Sequence, residues 1–596
     1  MKFAIDILED RISAAMAAVT ARDDSPAIVR PSTDPKFGDY QANGVMALAK
    51  ELKTDPRKLA EEVVKNLDVD DICEPPEIAG PGFINLRLKA DFLADRLLEI
   101  NKDSENRLSI EKDSQPKTIV VDFSCPNIAK QMHVGHLRST IIGDCICRML
   151  EFFGHTVIRQ NHIGDWGTQF GMLCALFDKR LLSKSGGIEN MQFVSSEEIL
   201  GELEAFYEEA NKLFDSNESF AKTARAAVAG LHSGKGIWRT HWESIVKYSR
   251  RHYDEIYRKL KVTLTDKDVR GESFYKDTLS DVVEDLRNKN LAVESDGAVC
   301  VFPKWFKNKE GEPLPFIIQK SDGAYLYATT DLAALHYRVD ALKADKIIYV
   351  TDARQSLHFQ MLFAVGRMAG WAKDKTELIH VAFGSVLGEN GRPLKTREGE
   401  NVKLKELLEE AVERAKAVVE EKNPKLDENK KAKIAQAVGI GAVKYADYSN
   451  NRTSDYVFSF DKMLAMDGNT APYMQYAYAR IKSIERKAQI RDMDIEAELV
   501  GLKTLSLTEP AELDLAKYLI RYGEAVKTAA ADYRPNYLTS YLYELAQKFS
   551  AFYTNCPVLD AEPDKRPTRL LLCRLTEKTI KHGLSELLGI EVVEQM

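Results

Sequence analysis

KTIVVDFSCPNIAKQMHVGHLR, residues 117–138, decides the fold. Its opening, Lys117 to Ser124, is an apolar run of the length of a fully buried strand. A turn follows, and then Leu137, Ile141, Cys145, Met149 and Phe153 recur at helical spacing until Gly154 ends the helix. Thr156 to Ile163 reads as the next strand, and the same kind of run returns at Lys346 to Val350 and Leu378 to Leu387. Strands alternating with helices predict an α/β fold with a doubly wound parallel sheet. In such a sheet the ligand site lies where strand ends give way to helix N-termini, which is where HVGH stands.

Three parts follow from working outward, as the length of 596 residues requires. Residues 1–110 carry helical patterns at Ala4 to Val19, Ala42 to Leu52 and Lys58 to Leu67, then a short strand from Phe83 to Leu88, and so predict a small α+β domain. Residues 111–404 hold the sheet, with a charged, mostly helical insertion over about 175–300. Residues 405–596 show no convincing strand. Helices such as Val402 to Glu421 and Asn536 to Tyr553, whose Leu538, Leu542, Leu545, Phe549 and Phe552 share one face, predict an all-α bundle.

The formal charge of -8 offers no overall basic footprint, so any nucleic-acid site must be local. No apolar run is long enough to span a bilayer, and the N-terminus MKFAIDILEDRI is amphipathic and acidic rather than a signal peptide. A cytoplasmic protein is expected. The eight cysteines, at 73, 125, 145, 147, 174, 300, 556 and 573, form no CxxC pair and no quartet at zinc spacing, and read as reduced thiols.

His133 and His136 flank Gly135, whose missing side chain would let a base or phosphate approach the backbone. Two imidazoles at a helix N-terminus can donate to phosphate oxygens and stabilise charge developing on an α-phosphate. A His-x-x-His pair out of context is more often a helix surface or half of a metal site. The strand-to-helix position, and the lack of a third ligand nearby at metal spacing, favour a nucleotide.

SCPNIAKQMHVGHLRSTIIGD (124–144) followed by NHIGDWGTQFG (161–171) resembles the class I arginyl-tRNA synthetases of the bacterial type. The likeness continues in KFGDYQAN (36–43), YLYATTDL (325–332), FGSVLG (383–388), DYVFSFD (455–461), NTAPYMQYAYAR (469–480) and GLSELLGIEVVEQM (583–596), and so spans nearly the whole chain. It implies a Rossmann-like catalytic domain, an N-terminal domain that contacts the tRNA elbow and a C-terminal anticodon-binding bundle. The reaction implied is formation of arginyl-adenylate from arginine and ATP, then transfer to the terminal adenosine of tRNA(Arg). ATP and its associated Mg²⁺ are the implied cofactors, a monomer is expected, and arginine activation is expected to need tRNA.

The resemblance also implies residue roles. Asp331 and Tyr327 match the family's side-chain pocket, with Glu272 in GES (271–273) a further carboxylate. Asp122, Ser124 and Asn127 match the arginine-binding segment, and Gln355 in TDARQSLH (351–358) matches a glutamine that contacts the amino acid. Carboxylates suit a planar, permanently charged guanidinium with five donors. Each has an ordinary alternative: Asp122 a strand-end acid, Asn127 a turn residue, Tyr327 a core aromatic, Asp331 a helix cap and Gln355 a loop amide. One departure matters. Where the family's lysine-rich KMSKS loop would lie, this chain reads PLKTREG (393–399), so the signature lysines fall on Pro393 and Thr396. Lys395 and Arg397, displaced by one position, and Lys130 are the cations left to grip pyrophosphate.

RIKSIERK (480–487), beside Tyr473, Tyr476 and Tyr478, joins cations to aromatics as single-stranded RNA readers do. Tyr473 and Arg480 are the expected tRNA contacts there, and Phe37, Tyr40 and Asn43 those of the N-terminal domain. The ordinary reading is a solvated charge run over core tyrosines. Two functional alternatives stay open: another class I synthetase, and a catalytically inactive paralogue acting as an RNA-binding protein.

Overall fold

The computed structural model describes residues 2–22, 24–167, 169–185, 195–232, 236–395 and 402–596, without the side chains of 196, 197 and 232. Two compact units emerge: Met1–Lys112 with Val419–Gly441 and Leu464–Met596, and Asp113–Val418 with Ala442–Met463. The helices Leu404–Lys422 and Glu428–Tyr448 each have residues in both units, so the units do not divide at the expected 405.

In the first unit, strands β1 (Val29–Pro31), β2 (Tyr40–Ala42), β3 (Glu77–Ala79) and β4 (Phe83–Leu86) form an antiparallel sheet in the order β1-β2-β4-β3. Tyr40 and Ala42 project to one face of β2 and are fully buried. The Tyr40 phenol donates to Glu524 Oε1 at 2.8 Å, and the Ile5 N–H donates to the same oxygen at 3.2 Å. Beyond the sheet, the unit is helical. Leu538, Leu542, Leu545, Phe549 and Phe552 form one buried stripe of the helix Pro535–Asn555, as their spacing requires.

Burial raises the Glu524 carboxyl to about 7, against the pull of the Tyr40 hydrogen bond and the Arg521 charge. A carboxyl whose folded pKa exceeds its unfolded value stabilises the fold below the unfolded value and loses that contribution as pH rises through the folded one. Between about 4.5 and 7 this unit should therefore lose stability as pH rises. Glu524→Gln keeps an acceptor but cannot ionise. Urea titrations at pH 5 and pH 8 should show a lower midpoint at pH 8 for the wild type and a smaller difference for the variant.

In the second unit, β5 (Thr118–Asp122) and β6 (Thr156–Gln160) precede the helical insertion. A three-stranded antiparallel sheet follows, β7 (Ala292–Ser295), β8 (Ala298–Val301) and β9 (Phe316–Gln319), and then β10 (Lys346–Asp352) and β11 (Glu377–Phe383). The main sheet is parallel throughout, in the order β11-β10-β5-β6. Ile119 to Val121 and Ile347 to Val350 are buried, which is why these strands read as unbroken apolar runs. The chain moves one way from β5 to β6 and the other way from β10 to β11. Such a reversal opens a crevice at the C-terminal ends of β5 and β10.

Two features depart from expectation. The hairpin of β7 and β8, turned at Asp296 and Gly297 with φ of 51° and 76°, lies where helix was expected. Its Asp-Gly turn is a hairpin signal in its own right. The two-residue strands β12 (Val386–Leu387) and β13 (Tyr456–Val457) pair in parallel, and β13 stands beyond 405, where only helices were expected. A strand of two residues has no periodicity to read.

The signature helix Val134–Phe152 is fastened through Arg138, whose side chain is 1% exposed. Its Nη1 donates to the carbonyls of Gly384 at 2.8 Å and Ser454 at 3.0 Å, and its Nε lies 3.0 Å from Asp447 Oδ2. One guanidinium thus joins the start of this helix to the end of β11 and to the segment before β13.

Candidate active site

Three structures converge at the C-terminal edge of the parallel sheet. The first is the loop after β5. Ser124, Cys125 and Ala129 hold positive φ of 75°, 31° and 62°, unusual for residues with side chains. Hydrogen bonds fix the turn: the Ser124 N–H donates to Ser139 Oγ at 2.9 Å, and the Ser124 hydroxyl lies 2.7 Å from Thr140 Oγ1 and 2.8 Å from the Tyr257 hydroxyl.

That loop delivers His133 to the N-cap of the helix Val134–Phe152. The Gly135 N–H donates to His133 Nδ1 and the His133 N–H donates to His136 Nδ1, both at 3.1 Å. Each Nδ1 is an acceptor, so in each neutral ring the proton sits on Nε2. Burial lowers the pKa of both rings, that of His136 to about 4. The pair is therefore a set of neutral Nε2–H donors at neutral pH. A Cβ on Gly135 would stand 2.8 Å from His133 Cε1, so the glycine makes room for the histidine ring.

Both rings line a cavity of about 510 Å³ with Asn127, Lys130, Lys395 and Lys403. Tyr207, Glu204 and Glu208 close it from the helix Leu203–Ser216. The Lys130 ammonium sits 4.6 Å from the Tyr207 ring centre, and Lys403 pairs with Glu204 at 3.3 Å. The segment after the 393–399 loop is tied to this site, because the Val134 N–H donates to the Val402 carbonyl and the Leu404 N–H to the Met132 carbonyl. Arg397 lies outside the described residues.

The second structure follows β6. The Glu272 N–H donates to the Ile163 carbonyl and the Arg270 N–H to the Asn161 carbonyl, which lays residues 269–273 beside NHIGD. Asp165 accepts from the Ser273 N–H at 2.8 Å and its hydroxyl at 2.6 Å. Burial raises the Glu272 carboxyl to about 7, and the charges of Asp165 and Asp331 push it the same way. Glu272 thus feels the negative charge of two other carboxylates in a partly desolvated place, an arrangement that a cationic ligand relieves.

The third is the pair of helices Tyr327–Asp340 and Ser356–Met368. Asp331 Oδ2 lies 2.7 Å from His358 Nε2, and Oδ1 lies 3.8 Å from His162 Nε2. Tyr327 is 65% exposed and lies against the His358 ring, 5.2 Å between centres.

Asp331 and Tyr327 thus meet at His358 and Glu272 feels the Asp331 charge, while Gln355 is exposed on the turn Ala353–Gln355 at the end of β10. Asp122 and Ser124 do not reach the open face. Asp122 is buried, with Oδ2 2.7 Å from Arg338 Nη2 and Oδ1 accepting from the Cys125 thiol at 3.1 Å. Ser124 is buried in the hydroxyl cluster described above. Both hold the loop from behind.

In the other unit, Tyr476, Arg480, Ser483, Arg486, Lys487 and Tyr553 line a cavity of about 540 Å³ with the C-terminal Gln595 and Met596. The Arg480 guanidinium lies 5.0 Å from the Tyr476 ring centre and 5.9 Å from that of Tyr553. Tyr473 is half-buried against Tyr543 and is not among these lining residues. Tyr40, expected at an RNA surface, is core. Phe37 is half-buried with the Lys36 ammonium 4.6 Å from its ring centre, and Asn43 stands at the N-cap of the helix Gly44–Leu52 with a buried Oδ1 that has no hydrogen-bond partner among the described residues.

Sequence reasoning assigned no role to His162 or His358, although both lie inside quoted motifs. It also passed over Tyr553 and the terminal Met596, which only folding brings to Arg480.

The family model of the class I (R) tRNA synthetase catalytic domain matches residues 100–460. The arginyl tRNA synthetase N terminal domain matches 6–88, and the DALR anticodon binding domain matches 474–596. Curated relatives include the arginine--tRNA ligase of Hahella chejuensis, 50% identical over 590 residues, and that of Laribacter hongkongensis, 49% identical over 590, each alignment covering 99% of both chains. Among solved structures, arginyl-tRNA synthetase from Plasmodium falciparum is similar with a TM-score of 0.83 at 32% identity. The Thermus thermophilus arginyl-tRNA synthetase has a TM-score of 0.79 at 25% identity, and both alignments cover 100% of each chain.

Proposed function

The chain belongs to the class I arginyl-tRNA synthetases, and from that premise we propose how its residues divide the work of an arginine--tRNA ligase. The reading is supported by two features of the same unit, the carboxylates Asp165, Glu272 and Asp331 and the neutral histidine pair in its cavity. One half suits a guanidinium and the other a polyphosphate.

Arginine enters with its guanidinium toward Asp331 and Glu272, walled by Tyr327, and with its amino and carboxylate groups toward Asn127 and Gln355. Asp122 and Ser124 position the loop that carries Asn127. ATP lies along the 510 Å³ cavity, its phosphates toward His133, His136 and Gly135 and toward Lys130 and Lys395, with Arg397 a further cation of the same loop. Mg²⁺ arrives as part of the nucleotide. The attacking arginine carboxylate is ionised at neutral pH, so no general base is required. Oxygen attacks the α-phosphorus, pyrophosphate departs, and the Nε2–H donors stabilise the charge that builds on the phosphoryl oxygens.

tRNA(Arg) is read in two places. The anticodon meets Arg480, Tyr476 and Tyr553, with Tyr473 on the helix Ala471–Ile490 that also carries Tyr476 and Arg480. The elbow meets the N-terminal domain near Phe37 and Asn43, with Tyr40 holding that surface from inside. The protein works as a monomer in the cytoplasm.

Gly135→Ala should lower kcat about 100-fold, because the new Cβ displaces the His133 ring while the helix itself tolerates alanine. Pyrophosphate exchange measures this, and thermal unfolding should change little.

The overall test is amino-acid-dependent ATP–pyrophosphate exchange with and without total tRNA, offering arginine, lysine and citrulline. Exchange with arginine alone, dependent on tRNA, is expected. A folded, RNA-binding protein that supports no exchange with any of the three would instead establish the inactive paralogue.

A further inference from the structure

Asp331 does not stand alone. His358, in the first turn of the helix Ser356–Met368, points Nε2 at Asp331 Oδ2 across 2.7 Å. A carboxylate only accepts hydrogen bonds, so Nε2 carries the proton. The ring is held on three sides, by Phe316, Tyr327 and Phe359 at 5.5, 5.2 and 5.3 Å between ring centres. It is a fixed donor rather than a rotating one. Oδ1 has His162 Nε2 at 3.8 Å, beyond hydrogen-bond reach.

We propose that His358 is a positioning residue for arginine recognition: its Nε2–H locks the Asp331 carboxylate so that Oδ1 is presented to the guanidinium. Planar, bidentate partners such as guanidinium and carboxylate are sensitive to the rotation of either plane. An unlocked carboxylate would spend part of its time turned away, and would distinguish a guanidinium from a neutral urea less well. Tyr327 gains a second role here, since its ring both walls the pocket and keeps the imidazole in place.

The proposal rests on reading Asp331 as the carboxylate that meets the guanidinium, so the test includes Asp331→Asn. His358→Phe keeps a ring among Phe316, Tyr327 and Phe359 but removes the donor. His358→Gln gives up the ring and restores an N–H near the same place. In ATP–pyrophosphate exchange with tRNA present, His358→Phe should raise KM for arginine about 10- to 100-fold and leave kcat and the KM for ATP within about twofold, the scale of one charge-assisted hydrogen bond. The preference for arginine over citrulline should fall with it, and His358→Gln should recover most of both. If His358→Phe leaves KM for arginine at the wild-type value while Asp331→Asn raises it, the positioning role falls and the pocket stands. If Asp331→Asn leaves it unchanged, the pocket assignment itself falls. A loss spread equally over kcat and both KM values, with no recovery in His358→Gln, would reduce His358 to packing and overturn the proposal.

Discussion

Asp331→Asn is expected to lower kcat/KM for arginine in ATP–pyrophosphate exchange roughly 30- to 4,000-fold, the cost of truncating one partner of a hydrogen-bonded charge pair that becomes buried when arginine binds. Asparagine preserves shape, and its amide oxygen can still accept from His358 Nε2. What it removes is the charge, and it presents an N–H₂ where a guanidinium N–H needs an acceptor. The loss should fall on the KM for arginine, with the KM for ATP little changed, because the nucleotide cavity is lined by other residues. Discrimination should shrink in parallel, since a site built to pair a charge rejects neutral analogues by leaving that charge unpaired. Equal losses against arginine and ATP would place Asp331 outside the pocket.

Arg138→Met should cost about 3–5 kcal/mol of folding free energy, the usual penalty for removing one partner of a buried ion pair. Asp447 is 1% exposed, and burial already raises its carboxyl against the opposing pull of Arg138. Without the guanidinium its pKa rises further, and the carbonyls of Gly384 and Ser454 lose their donor. A raised carboxyl stabilises below its unfolded pKa and ceases to as pH rises through the folded one, so the variant should be weaker at pH 8 than at pH 5. Denaturant titration of the second unit at both values checks this. Arg138→Met with Asp447→Leu should regain part of the loss, because an apolar pair of similar volume removes the stranded charge. A single variant as stable as wild type would show that the strut carries no net energy.

Much of the fold was legible because its strands are buried on both faces. Val120, Val121, Ile347 and Val350 leave an apolar signature that needs no partner to be recognised, and HVGH falls at a predictable strand end. The site was legible as motifs rather than as geometry. Asp122 and Asp331 are both acids in quoted stretches, yet one meets a buried Arg338 and the other a partly exposed His358, which depends on partners elsewhere in the chain. Tyr40 shows the limit most clearly. Its alternation with Ala42 on a short strand was available, but its buried partner Glu524 is 484 residues away, and nothing local announces it.

That same pairing sets an order of events during synthesis. Tyr40 leaves the ribosome 484 residues before Glu524, a delay of roughly 25–100 s at ordinary elongation rates. Once β4 has emerged the N-terminal strands have one another as partners, but the helix whose Glu524 takes the Tyr40 phenol and the Ile5 N–H has yet to be made. The buried Tyr40–Glu524 pair can therefore form only after most of the chain has been made.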